Sequence, residues 1–474
     1  MKEINKCFFS TIWDEIPLER IFAQCQTADT NFTEIYIEKS YQTDIKVSEE
    51  KLEKCLYGED QGASIRIFAN NQILFGYTQD LSLKGFHSLA EQISSSLPKK
   101  KVLSPCSLKP PCFHPCKSSP IKIWPKEINL SEKIQKTLIC DQAARKNFKY
   151  IKEVSVNYSD EQKDVMIFNS KGLQLAFSSA KTYLGATSVA KKNQTTQTGF
   201  EPLGGVIGWE IFSKNDPKQI GLKASQQAEG LLEAQFAPMG KMPVILSAKA
   251  GGTFVHEVLG HALEADAIDD GISIFEDSLG KKISKTPLTV MDNPTLPHLG
   301  GSYDFDDEGT PAKPKVLVKD GILKSFLLDC RTGTELNFPS TGNGRREDYR
   351  SKPIPRMSNI FIKPMKKDPQ NIIRSLSKGL LITQLGGGEV DTVTGSFIFE
   401  ILEGFFLKNG KKEAPIRGAS LIGNIKEVLD QELQIGNDLE FSLGGCEKSG
   451  QDVWVSDGQP TMLIPEITIG GQEI

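Results

Sequence analysis

Residues 253–266 read TFVHEVLGHALEAD, and they place His256, Glu257 and His261 within six positions of a chain that holds only five histidines. Two imidazoles and a carboxylate are what a catalytic zinc site uses: neutral nitrogens hold the ion and the carboxylate takes a proton from water. The familiar spacing on a helix is H-E-x-x-H, which sets both rings on one face. Here the spacing is one residue longer, H-E-x-x-x-H. At about 100° per residue, an i, i+5 pair diverges by about 140° on a regular α-helix, so the two rings cannot face one ion. The spacing therefore predicts an irregular helix, widened into a π turn or loosened at Gly260. The competing reading is an ordinary core helix, with Phe254, Val255, Leu259 and Leu263 as its apolar stripe.

With 474 residues the chain exceeds what one core supports, and two or three domains are expected. Hydrophobic residues make up 38% and charged residues 24%, the balance of a globular protein rather than a disordered one. The net charge of −4 offers no field that would hold a phosphate backbone, so nucleic acid is a poor partner. The start, MKEINKCFFSTIWDEIP, has too short an apolar run for a signal peptide. Phe397–Leu407 is the most apolar later stretch, but it carries Glu400 and Glu403 and is far too short to span a bilayer. Nine scattered cysteines fit a reduced compartment. A cytoplasmic protein without membrane contact is expected.

The pattern along the chain is α+β: an N-terminal α/β region, then a predominantly β C-terminal domain carrying the inserted ligand helix. Residues 1–96 form the first segment. Ile35 and Ile37 alternate with polar neighbours, Ile65 and Ile67 face Ile73, Phe75 and Tyr77 across Asn70-Asn71, and Ser82 caps a helix with Phe86, Leu89, Ala90 and Ile93 buried. Residues 97–125 hold seven prolines, six lysines and no acid, the composition of a linker. Cys106, Cys112, His114 and Cys116 within it match no zinc ribbon or finger spacing. The middle segment, 126–237, has a helix from Ser131, strands at Val154–Tyr158, Val165–Ile167 and Leu173–Phe177, and a helix started by Asp216-Pro217. The last segment, 238–474, begins with a strand at Pro243–Ser247 that runs through Gly251-Gly252 into the His256 helix. Hairpins are expected at Asp320-Gly321, with strands Val316–Val318 and Ile322–Leu328, and at Asn409-Gly410; helices are expected near Pro369–Leu376 and Ile425–Leu429.

Asp304 to Gly309 (DFDDEG) imitates the start of a calcium loop, but its twelfth place is Lys315, where a bidentate glutamate is required. An acidic loop beside the site is the better reading. Gly386-Gly387-Gly388 and Thr341 to Arg346 satisfy neither the dinucleotide nor the P-loop pattern; what the glycines offer is close backbone approach, suited to a peptide pairing as an added strand. Near the C-terminus, Cys446 sits in the glycine-rich stretch Leu443 to Gln451, where a thiolate could reach the two histidines or the cysteine could be structural. Glu264 and Asp266 are placed to orient the histidines or to end the helix in solvent.

Six separated blocks, GGTFVHEVLGHALEAD, YDFDDEGTPA, STGNGRREDYRSKPIPRMSN, QLGGGEVDTVTGSFIF, EGFFLKNGK and CEKSGQDVWVSDGQPTMLIPEITIGG, resemble the TldD/PmbA family of metallopeptidases, historically called modulators of DNA gyrase. The resemblance covers nearly the whole chain and is to the catalytic TldD-type branch, because the PmbA-type branch lacks the histidine motif. It implies His256, His261 and Cys446 as ligands of Zn²⁺, Glu257 as general base, and cleavage of small or unfolded peptides bound extended in an enclosed cleft. It also implies a dimer, either of identical chains or with a PmbA-type paralogue. The 97–125 stretch lies outside the family pattern, and the acidic composition gives the gyrase label no physical support. The rival reading is a non-catalytic scaffold or partner subunit with a structural metal site, closed by a fourth protein ligand.

Overall fold

The computed structural model describes residues 4–27, 30–69, 72–97, 108–250 and 252–471. Two helices, α1 (Ile4–Glu15) and α2 (Leu18–Cys25), precede three antiparallel strands, β1 (Thr30–Ser48), β2 (Lys51–Ala69) and β3 (Gln72–Thr78), and helix α3 (Leu83–Ser94). Ser82 caps α3 by accepting from the Gly85 N–H, and Phe86, Leu89, Ala90 and Ile93 are its buried face, as their spacing predicts. The expected Asn70-Asn71 turn and Cys106 lie outside the described residues, but β2 and β3 pair in register on either side of that turn. After α4 (Leu130–Arg145) come β5 (Ile151–Asn169), β6 (Gln174–Lys192) and β7 (Thr195–Gly205), then α5 (Pro217–Gly230), capped by Asp216.

These strands share one seven-stranded sheet in the order β3-β2-β1-β5-β6. The outer edge of β6 carries β7 and, in parallel, β4 (Cys112–His114) from the proline-rich stretch. Strands from both sides of residues 97–125 therefore lie side by side, with β1 paired to β5 from Glu34↔Asn169 to Ser48↔Ser155. The sequence suggests two short strands between 151 and 169; the structure has one of nineteen residues. Its polar middle stays in the sheet because each buried acid is partnered: Asp160 with Lys133 Nζ at 2.7 Å, and Asp164 with the Ser178 hydroxyl at 2.5 Å.

The C-terminal region is built from two sheets around one core. The first runs β12 (Ile322–Leu323), β11 (Lys315–Lys319), β10 (Val290–Asp292), β15 (Asn359–Ile362), β22 (Gln451–Gln459) and β21 (Glu440–Lys448). The second contains β8 (Gln235–Phe236), β9 (Gly240–Leu246), β16 (Lys378–Val390), β17 (Ser396–Lys408), β18 (Lys411–Arg417), β19 (Ala419–Asn424), β20 (Gln434–Ile435) and β23 (Met462–Gly471). Pairing of β16 with both β9 and β17 closes five of these strands, β16-β9-β23-β19-β17, into a ring, which removes exposed edges. A small ribbon, β13 (Gly344–Arg345) with β14 (Ile354–Pro355), lies apart. Both predicted hairpin turns form, with left-handed backbone at Asp320 and Gly321 (φ 52° and 78°) and at Asn409 and Gly410 (φ 49° and 71°). The strand expected over 322–328 is shorter, because the chain leaves β11 to bond elsewhere: Leu327 donates to the Leu263 carbonyl and accepts from the Ala265 N–H, both at 2.9 Å.

The ligand segment is packed inside this core. Phe254, Val255, Leu259 and Leu263 are buried with Val244 and Leu246 of β9, Leu380 of β16, Phe399 of β17, Val290, Ile360 and Val455. The apolar stripe of the core-helix reading is thus buried as expected, on the same segment that carries His256 and His261. Each such side chain contributes about 1.5–3 kcal/mol by leaving water, so the segment is anchored by packing rather than by helix propensity.

Candidate metal centre

The segment is irregular where the histidine spacing requires it. A short α turn at Thr253–Val255 widens into a π turn over His256–Gly260, with the His261 N–H donating to the His256 carbonyl, five residues back. That extra residue per turn carries the His261 ring back beside His256: the centroids are 4.8 Å apart and the rings are nearly perpendicular. Gly260 lets Met357 pack against this bend, since a Cβ there would come within 1.9 Å of the Met357 sulfur and push that side chain aside. A tight turn follows over His261–Leu263, after which Glu264 is extended.

Cys446 arrives from β21, 185 residues further along, with its sulfur 3.5 Å from His261 Nε2. One donor atom from each of His256, His261 and Cys446 lies within 4.8 Å of the others, the only such group of three or more metal-binding side chains among the described residues. Zinc–nitrogen bonds of about 2.05 Å and zinc–sulfur bonds of about 2.3 Å make a tetrahedral N···S edge of about 3.6 Å. The separation of His261 and Cys446 matches that edge, and the donor set of two imidazoles and a thiol suits zinc.

Both imidazoles are oriented by carboxylates. His256 Nδ1 is 2.9 Å from Asp457 Oδ1, and His261 Nδ1 is 2.9 Å from Glu264 Oε2. With Nδ1–H donating to an acid, each Nε2 keeps its lone pair for an ion. Burial alone would raise the Cys446 thiol, but the two imidazoles beside it outweigh that and hold it down at about 5. Burial disfavours charge on His261 as well, yet Glu264 and Cys446 bring its pKa up to about 9; at His256, Asp457 likewise overcomes burial. The thiolate and two carboxylates thus create a field that favours positive charge among the imidazoles, as a cation would satisfy.

Glu257 follows His256 on the π turn, with its Oε2 4.0 Å from His261 Nε2. Burial pushes its pKa up, against the pull of the two histidines. The backbone of β16 comes close because Gly388 has no side chain: a Cβ there would press into the Phe399 ring and reach 3.4 Å from Glu257 Cγ. Glu257, His256, His261 and Cys446 open on a cavity of about 1320 Å³. Stretches of three strands supply most of its strand border, Phe200 to Gly204 of β7, Gln384 to Val390 of β16 and Glu440 to Lys448 of β21, joined by Leu402 of β17 and Asp457 of β22. Among the described residues β21 pairs only with β22 and so turns an open edge outward; β7 pairs only with β6, but beside the cavity the Phe200 N–H already donates to Gln227 Oε1 at 2.7 Å and Pro202 has no N–H. Among the described residues the end of β16 pairs only with β17.

All four residues singled out in the sequence, His256, Glu257, His261 and Cys446, are brought together. Glu264 orients His261; Asp266 touches neither histidine and instead accepts from Lys448 Nζ at 2.7 Å. The acidic loop is not beside the site. Glu308 is buried against Arg66 of β2 at 2.7 Å, and Asp304 to Gly309 line no part of the large cavity. Gly344-Arg345-Arg346 is also remote from it, with Arg346 paired to Glu34 of β1 at 2.6 Å. Sequence reasoning missed Asp457 and Lys448. Asp457 has no spacing signal. Lys448 has a weak one, since it lies two residues beyond Cys446 and so shares its face of the strand.

Comparison with known proteins follows the same lines. Family models described as PmbA/TldA metallopeptidase domain 1, central domain and C-terminal domain match residues 33–96, 124–232 and 239–471. The class is that of the metallopeptidases, which accords with a carboxylate and three donors at an open cavity. More narrowly, the chain belongs to the PmbA/TldD family. It is 31% identical to a metalloprotease TldD homolog of Buchnera aphidicola subsp. Schizaphis graminum over 88% of this chain and 87% of that one. It is 28% identical to a zinc metalloprotease TldD homolog of Saccharolobus solfataricus, over 93% and 97%. The fold matches the crystal structure of TldE from Thermococcus kodakarensis with a TM-score of 0.74, at 19% identity and covering 97% of this chain and all of that one. No helix among the described residues is long and apolar enough to cross a membrane.

Proposed function

We propose that this protein is a zinc-dependent peptidase of the TldD type, which hydrolyses peptide bonds in small or unfolded peptides bound in extended conformation. His256, His261 and Cys446 are the metal ligands and Glu257 is the general base. The observation that carries this reading is the π turn, which folds an i, i+5 histidine pair together and within 3.5 Å of a thiol from a distant strand. The zinc named for the Saccharolobus relative supports the same ion here. A zinc ion in this position supplies Lewis acidity toward a peptide carbonyl and acidifies water.

The chain's own residues do the rest. Asp457 and Glu264 fix the imidazoles, and the open edge of β21 accepts a peptide backbone as an added strand. Glu257 takes a proton from the water that attacks the carbonyl carbon and delivers it to the leaving amine as the C–N bond breaks. The scaffold alternative calls for a closed site with four protein ligands, whereas three donors gather here and a carboxylate stands beside them at a cavity.

The same reading places the protein in the cytoplasm, as a dimer of identical chains or with a PmbA-type paralogue. It treats 1–96, 126–237 and 238–474 as its domains, joined through 97–125. Glu257→Gln tests the reading: zinc retained with peptide hydrolysis lost supports it, and full activity in that variant removes Glu257 from its role.

A further inference from the structure

Lys448 lies on β21, two residues beyond Cys446, so the two side chains leave the strand on the same face. Its ammonium has three acceptors: Glu264 Oε2 at 2.9 Å, Asp266 Oδ1 at 2.7 Å and the Pro355 carbonyl at 3.2 Å. An ammonium has three donors, so this one is saturated. Although Lys448 borders the cavity, it has no donor left for a substrate carboxylate. Nor is this an ordinary surface ion pair, since the Glu264 side chain is only 1% exposed and that of Lys448 20%.

The carboxylate it grips is the one that orients a proposed ligand. Glu264 Oε2 accepts from His261 Nδ1 and from Lys448 Nζ, each at 2.9 Å. His261 Nε2 in turn faces the Cys446 sulfur at 3.5 Å. The contacts form a closed circuit: from Cys446 two residues along the strand to Lys448, across to Glu264, through the His261 ring, and back to the thiol. The imidazole comes from the helical segment and the thiol from an edge strand, and Lys448 is the side chain that ties the two at the site itself.

We propose that Lys448 is a positioning residue, whose ammonium fixes the Cys446 strand to the Glu264–His261 pair and so holds imidazole and thiol at metal-binding separation. This inference rests on the function proposed above, but its test reads the metal rather than turnover. Carboxylates that orient ligand histidines are worth about 10–100-fold in metal affinity. A residue that acts through one should cost a comparable factor, and that cost should disappear once the carboxylate is neutralised.

The experiment is a double-mutant cycle on full-length protein, with zinc affinity measured by chelator competition for wild type, Lys448→Met, Glu264→Gln and the double variant. Lys448→Met is expected to weaken zinc by about 10–100-fold. In the Glu264→Gln background the same change should cost less than about 3-fold, because the partner it acts through is gone. A general loss of structure would not give that pattern. If Lys448→Met does not fold, Lys448→Gln, which keeps a donor on a shorter stem, carries the same cycle. Equal losses in both backgrounds, or zinc affinity unchanged in Lys448→Met, would overturn the proposal while leaving the peptidase reading standing. Wild-type protein that takes up no zinc would overturn both.

Discussion

Two of the buried clusters of charge in this molecule differ in what they leave free. Where the C-terminal region meets the N-terminal sheet, Arg66 contacts Glu34 at 2.8 Å and Glu308 at 2.7 Å, while Arg346 holds the other oxygen of Glu34 at 2.6 Å. Arg66 also lies 4.9 Å over the Phe68 ring. That cluster answers cation with anion and borders no part of the large cavity. At the proposed metal centre the carboxyls of Asp457 and Glu264 and the Cys446 sulfur surround imidazoles that open on the cavity. A cluster whose cations and anions pair with one another is a fastening; one arranged to favour an added cation is a site.

The sharpest way to separate the two is to remove a member of each. Glu257→Gln should reduce kcat for peptide hydrolysis by about 100–10,000-fold, with zinc content and melting temperature unchanged. Arg66→Met should do the converse: by stranding Glu308 and leaving Glu34 to Arg346 alone it should destabilise the fold by about 3–5 kcal/mol in urea unfolding, while one zinc per folded chain is retained. Loss of zinc in Arg66→Met at temperatures where the protein stays folded would mean the clusters are not independent. Gly260→Ala probes the join between packing and site. Its methyl must displace Met357, so a stability loss of about 1–3 kcal/mol together with weaker zinc binding is expected. Unchanged zinc affinity there would show that the π turn tolerates the strain.

The smallest effect is a pH dependence. Burial would raise the Glu34 carboxyl, but Arg66 and Arg346 outweigh it and hold it below the ordinary glutamate value. A lowered folded-state pKa stabilises above the unfolded value of about 4.3 and loses that contribution as pH falls through the folded one. Urea unfolding between pH 7 and pH 3 should therefore show a stability loss on the acid side, smaller in Arg346→Met. An identical acid profile in that variant would remove Glu34 as a contributor.

How much could be read in advance follows the range of the interactions involved. His256, Glu257 and His261 are neighbours, and elementary helix geometry is enough to turn their spacing into a demand for a wider turn. Cys446 is 185 residues from His261, so no periodicity connects them; its glycine-rich stretch left a ligand and a structural role open, and the family resemblance chose the ligand. Asp457 was not legible, because its role depends on how β22 lies against the ligand helix. The acidic loop was misplaced for the same reason: its charges are visible in sequence, but its partner Arg66 is on a strand of another sheet. Asp160 and Asp164 hid the continuity of β5, since a polar residue in a strand looks like a break until its buried partner is known.

The central claim, a single zinc site joining the ligand helix to the C-terminal strand, is tested most directly by metal content. Mass spectrometry of purified wild type beside His256→Ala and Cys446→Ala should find about one zinc per chain in wild type and none in either variant. Zinc retained in Cys446→Ala would remove the third ligand, and wild-type protein without zinc would contradict the account as a whole.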